Sequence, residues 1–152
     1  MEWIIHGIAI WIVFTLLGGW KWKELKVNIW CGILSVILHL IIDTDRIQLG
    51  LYRINNPVVA LWGSSVFFTF GASFVSGMLI AMLQPKKRWA RILHVLLFST
   101  IFTIEEFMLV KTGAVEYYNW SILRGSIPIN LMAISTLSWF SISVQKKGQE
   151  NE

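Results

Sequence analysis

Apolar residues in this chain fall in long uninterrupted runs, not in the alternation of a half-buried strand or the stripes of a surface helix. The first run goes from Trp3 to Trp20 without a charge and stops at the basic stretch KWKELK. A second spans Leu25 to Ile42 and ends at the polar cluster DTDR. A third extends from Pro57 to Leu83, with Asn56 as its predicted cap, Pro57 in the first helical turn and QPKKRWAR closing it. A fourth covers Ile92 to Val110, and a fifth runs from Ile127 to Gln145, before Lys146, Lys147 and a short polar tail. Each is close to the roughly 20 residues a helix needs to cross bilayer hydrocarbon. The pattern predicts an all-α, polytopic transmembrane helical bundle with five spans, 3–20, 25–42, 57–83, 92–110 and 127–145, in one integral membrane domain over residues 1–152. The third run is longer than a bilayer needs and should tilt or bend, with Gly71 and Gly77 as its weak points.

The basic residues predict the orientation. Nine of the thirteen Lys and Arg fall in one set of loops and tails: Lys21, Lys23, Lys26, Lys86, Lys87, Arg88, Arg91, Lys146 and Lys147. The other set holds Arg46, Arg53, Lys111 and Arg124. Cytoplasmic loops carry the excess of positive charge, so the N-terminus is expected outside and the C-terminus in the cytoplasm, in a multi-pass cell-membrane protein. Trp20, Trp22, Trp30 and Trp89 then fall at the inner interface, and Trp3, Trp62 and Trp120 at the outer one.

Composition narrows the class. The chain is 55% hydrophobic and only 14% charged, where a soluble domain carries about 25% charged residues. A soluble enzyme, a disordered chain and a nucleic-acid-binding domain are excluded on that ground. The net charge of +4 belongs to the basic loops, which also suit anionic lipid. Cys31 is the only cysteine, so neither an intramolecular disulfide nor a Cys-based zinc site is available. Glu2 precedes the first run and no small-residue cleavage site follows it, so it reads as a span and not as a signal peptide.

Candidate chemistry concentrates at the outer side. Glu105 and Glu106 lie inside the fourth run, about 7 Å below its outer end at 1.5 Å per residue. Carboxylates at that depth must be neutral, paired or facing water. Ser99, Thr103 and Glu106 form one polar stripe, which places Glu106 toward the bundle interior. Glu105 aligns with Phe98, Ile101, Phe102 and Leu109 and is expected nearer a helix interface or turned outward. Glu106, or Glu105, could act as a general acid; equally, Glu106 could pair with Arg46 or Arg53 and only hold helices together. His39 and Asp43, four residues apart, share a face, and His6 lies near the same layer. His6, His39, Asp43 and Glu106 are ligand types that suit a divalent ion, while interhelical hydrogen bonds account for the histidines without a metal. Tyr117 and Trp120 add aromatic groups to the outer rim with Arg46 and Arg53. His94 belongs to the inner layer. Ser73, Gly77 and Ala81 give the third run a flat face for close packing. No cofactor-binding motif, Ser/His/Asp set or Gly-rich phosphate loop is present.

The stretch TIEEFMLVKTGAVEYYNW, with its Glu105–Glu106 pair followed by Tyr117 and Trp120, resembles a family of small uncharacterised Gram-positive polytopic membrane proteins. That resemblance implies a several-span architecture with an outward-facing polar motif, and no reaction. The Glu pair is also similar, less closely, to the Pro-x-Glu-Glu motif of small membrane carotenoid and terpene cyclases, with Thr103 where that motif has Pro.

Three functions fit these residues. One is a non-enzymatic membrane module whose outer polar cluster (His39, Asp43, Arg46, Arg53, Glu105, Glu106, Tyr117, Trp120) contacts a partner protein, a lipid headgroup or an ion. Another is an enzyme acting on a lipid or isoprenoid with Glu106 as general acid. The last is a proton- or ion-coupled carrier, which needs a polar path continuing to His94. A roomy apolar cavity, a metal-sized cage or a filled salt bridge around Glu106 would separate them.

Overall fold

The computed structural model describes Ile5, Ile8, Trp11, Ile12, Thr15 and residues 22–150, with side chains given only over 28–145 in that second stretch. The five early residues are helical, and the rest of the predicted span 3–20, with His6, lies outside the described residues. Helix α1 is Trp22–Gln48. Strand β1, Tyr52–Ile54, and a short hairpin of β2, Ala60–Leu61, and β3, Ser64–Ser65, follow it. Helix α2 covers Phe67–Met82, its first seven residues wound as a wide π-helix. Helix α3 is Arg88–Lys111, and strand β4 is Val115–Tyr117. A π-turn at Ile122–Ser126 leads into helix α4, Ile127–Glu150.

The molecule is mostly helical. Among the described residues, three helices are long and apolar enough to cross a membrane, over Asn28–Gln48, Arg88–Lys111 and Ile122–Gln145. Their outward faces are apolar: Ile92, Leu93, Leu96, Leu97, Ile101, Ile104 and Met108 of α3 are all exposed. Such a belt is stable against lipid tails and not against water.

The shorter α2 is the buried element, with every residue from Val75 to Met82 inside. It packs along α1 and against α4, and α3 closes onto α4. Close approach to α1 depends on small residues. A Cβ on Gly77 would stand 2.5 Å from Ser35 Cβ and 2.6 Å from the Cys31 carbonyl oxygen. Ser73 and Ala81, one turn to either side, are also buried. Ile80, Ile134 and Leu137 centre the core, with Leu34, Leu38, Val95, Phe98 and Phe102 packed around them.

Two boundaries differ from the expected ones. Helix α1 does not stop at DTDR but continues to Gln48, because Asp43 is turned into the protein and finds partners there. The third expected span, 57–83, loses its first ten residues. Asn56 is not a helix cap but sits at φ 47°, and Trp62 and Gly63, at φ 50° and 90°, form a two-residue hairpin turn. Helix begins only at Phe67. Gly71 falls within the wide π-turn, while Gly77 lies in regular α-helix.

Strands β1 and β4 pair antiparallel, Tyr52 opposite Tyr117 and Arg53 opposite Glu116. This ribbon ties the segment after α1 to the segment after α3. It also places two tyrosines side by side over the helix ends.

Candidate functional site

Asp43 is the buried anchor of the site, 7% exposed near the end of α1. The Tyr52 hydroxyl donates to its Oδ1 at 2.5 Å, and the Ser64 hydroxyl donates to its Oδ2 at 2.6 Å. His39 Nε2, one helical turn back, lies 3.1 Å from Oδ2. Thr69 Oγ1 is 2.9 Å from Ser64 Oγ, which extends the network into α2. The carboxylate thus has partners from α1, β1 and the hairpin, and these explain how a charge-bearing group is held at this depth.

Glu106 of α3 is arranged in the same way on the other side. The Tyr117 hydroxyl donates to its Oε1, and the Ser126 hydroxyl donates to the same oxygen at 2.7 Å. Ser126 in turn accepts from Trp120 Nε1 at 2.9 Å. The ribbon therefore serves both carboxylates, Tyr52 reaching Asp43 and Tyr117 reaching Glu106, with ring centroids 6.1 Å apart. Burial, and then the charge of Asp43, pushes the Tyr52 phenol far above its ordinary range. Burial, and then the hydrogen bond to Glu106, raises Tyr117 as well. Both phenols stay protonated and keep donating.

Between these carboxylates and the core is a cavity of about 160 Å³. His39, Asp43, Tyr52, Glu105, Glu106 and Ser126 line its upper end; Leu38, Ile80, Phe102, Ala133, Ile134 and Leu137 supply much of the rest, with Ser35, Ser73 and Asn130 among them. It holds several times the ~10–15 Å³ that one water requires by the same measure. Neither Lys nor Arg is among the lining residues. The room has an apolar body and an acidic, hydroxyl-rich end.

The residues expected at the outer side divide into two groups. His39, Asp43, Glu105, Glu106 and Trp120 line the cavity, and Tyr117 supports Glu106 from behind. Glu105, expected nearer a helix interface or turned outward, is half-buried beside Glu106 and lines the same cavity. The arginines go elsewhere. Arg46 Nη1 lies 2.5 Å from Asp45 Oδ2 and its guanidinium sits 5.3 Å from the centre of the Trp120 ring, while Arg53 is exposed opposite Glu116. Hydroxyl donors thus do the work assigned to a salt bridge at Glu106. Among the described residues no three metal-capable side chains converge, and His6 lies outside them.

Sequence reasoning missed Tyr52, Ser64, Thr69 and Ser126. No spacing announces them, since their partners are up to 21 residues away. The usable signal is chemical: a carboxylate inside an apolar run requires donors, and flanking loops rich in Ser and Tyr can supply them. At the far end of the helices, Gln84 and Ser138 hydrogen-bond each other, and Gln145 donates to Asn28 Oδ1 and the Ala81 carbonyl. Apolar Ile80, Ile134 and Leu137 separate this layer from the acidic end. No family model, curated protein or solved structure matches the chain.

Proposed function

We propose that this chain is a five-span protein of the cell membrane, N-terminus outside, that binds a single-chain amphiphile. The apolar chain of a lipid or isoprenoid occupies the cavity, and its polar end meets the His39–Asp43 pair and the Glu105–Glu106 pair. The observation that carries this reading is the cavity itself: roomy, walled mainly by Leu, Ile and Phe, and with its ionisable groups gathered at one end. A metal-sized cage or a filled ion pair at Glu106 would have pointed elsewhere. Because no Lys or Arg lines the acidic end and the only basic group there, His39, is already paired with Asp43, a hydroxyl or amine head suits it better than a phosphate. The five spans are the three long helices, the shorter α2, and the first apolar run, of which the five described residues are helical.

The test is extraction. The full chain, purified in mild detergent, should release a stoichiometric amphiphile identifiable by mass spectrometry. Ala133→Trp, which fills the cavity from α4, should remain folded and release none. Equal yield from both proteins, or no amphiphile from either, overturns the proposal. For orientation, a cysteine at exposed Val59 should react with an impermeant reagent on intact cells; reaction only after permeabilisation reverses it.

A further inference from the structure

A second recess, of about 410 Å³, opens between α3 and α4 at the other end of the helices. Its α3 wall is one helical stripe, in which Arg88, Arg91, Ile92 and Leu96 follow at intervals of three, one and four. Across from them Trp139 and Ile142 come from α4. The stripe grades from basic to apolar over about 12 Å along the helix axis, at 1.5 Å per residue. Ile92, Leu96 and Trp139 are 61%, 48% and 69% exposed, so the lower walls face the surrounding lipid.

Arg91 is fixed in place, and among the described residues no carboxylate pairs with Arg88 or Arg91. Arg91 Nε donates to the Pro85 carbonyl and its Nη2 to the Lys86 carbonyl, each at 3.0 Å, which sets the plane of the guanidinium. The first turn of α3 contains no acidic residue, and Lys87 gives it no side-chain cap. The positive end of the helix dipole therefore adds to Arg88 and Arg91. No Asp or Glu occurs anywhere in 84–96 or in 135–145.

We infer that this recess seats an anionic glycerophospholipid from the leaflet on that side. Its phosphate lies against Arg88 and Arg91, and one acyl chain runs down past Ile92, Leu96 and Trp139. Charge complementarity selects the head, and the order of basic then apolar groups matches the order within one leaflet. This site is independent of the cavity beneath the tyrosines.

The full chain in detergent micelles, titrated with brominated phosphatidylglycerol or brominated phosphatidylcholine, tests the assignment. The part of the quenching that Trp139→Phe removes reports the recess. Phosphatidylglycerol should quench it at a concentration roughly thirtyfold lower than phosphatidylcholine, as two basic contacts imply. Arg88→Gln with Arg91→Gln should abolish that preference, while Lys86→Gln with Lys87→Gln should keep most of it. Because replacing Arg91 also releases two loop carbonyls, Arg88→Gln alone is measured beside it and should cost several-fold in preference. Equal quenching by the two lipids overturns the inference. So does an unchanged preference in Arg88→Gln, or a loss as large in the lysine pair as in the arginine pair, which would mean general attraction to a basic loop.

Discussion

At the tyrosine end of the bundle the carboxylates of Asp43 and Glu106 lie beneath a strand ribbon, held by hydroxyls from four segments. At the Arg88 end the side chains of interest are arginines, Arg88 exposed and Arg91 half-buried, and Arg91 is held by two carbonyls of the turn before its helix. Both ends border the α3–α4 pair, yet they are built on different physics. A buried carboxylate has no solvent to fall back on, so its partners are part of the fold. An exposed arginine keeps its hydration, so its partners tune position and add little stability. Mutations should therefore damage stability at one end and lipid preference at the other.

The largest expected effect is at Asp43. Asp43→Ala leaves the Tyr52 and Ser64 hydroxyls without their acceptor and should cost about 3–5 kcal/mol. Arg88→Ala, at the exposed end, should stay within about 0.5 kcal/mol. Thermal unfolding of both variants in the same detergent gives the contrast, and similar losses would dissolve it.

Glu106 comes next. Glu106→Ala removes the acceptor of Tyr117 and Ser126 and should cost about 1–3 kcal/mol. Glu106→Gln keeps an acceptor oxygen in place and should remain within about 1 kcal/mol of the parent, since among the described residues no Lys or Arg pairs with it. A loss from Gln as large as that from Ala would show that the ionised form matters. Glu105→Gln, on the same cavity, is the control: it should leave the Tyr117–Ser126 network intact.

How much of this was legible beforehand follows the same division. The fourth run, 92–110, lies within α3 at 88–111, because a span without internal competition reports itself through hydropathy alone. The Arg88 end was legible too, as a basic stretch beside an apolar run. The acidic end was half legible. Its carboxylates stood out as costly, but Tyr52, Ser64 and Ser126 did not, because hydrogen bonds formed by tertiary folding have no period. The hairpin before α2 was hidden for a different reason: Val58, Val59, Leu61 and Trp62 are apolar, so hydropathy merged them with the helix that follows. Backbone geometry at Trp62 and Gly63, not polarity, separates the two.

A smaller effect should appear in alkali. The Tyr52 and Tyr117 phenols are raised in the folded state, above the ordinary value of about 10 that they regain on unfolding. The folded state thus holds these protons more tightly. Its advantage is fully present below pH ~10 and is lost as pH rises through the folded values. Stability should fall progressively above that point, and no tyrosinate absorbance from these two residues should precede unfolding. Tyr52→Phe should lower stability at neutral pH yet flatten the alkaline slope. An unchanged slope would place the phenol outside the Asp43 network.

A small effect on stability belongs to Arg91, and it discriminates most finely between the two ends. Arg91 is half-buried and binds the Pro85 and Lys86 carbonyls through two different nitrogens. Lysine keeps the charge but has a single ammonium on a flexible stem and cannot reproduce that fork. Arg91→Lys should therefore cost about 0.5–1 kcal/mol, the worth of a solvent-accessible hydrogen bond, and leave the acidic cavity untouched. If charge alone attracts lipid to this end, the variant should keep the parent's preference for phosphatidylglycerol. If the fixed guanidinium plane positions the phosphate, the preference should drop while stability barely moves. Paired unfolding and quenching measurements on the one variant separate these outcomes. A stability loss rivalling that of Asp43→Ala would show that the Arg88 end, too, is built into the fold, and the contrast drawn between the two ends would have to be abandoned.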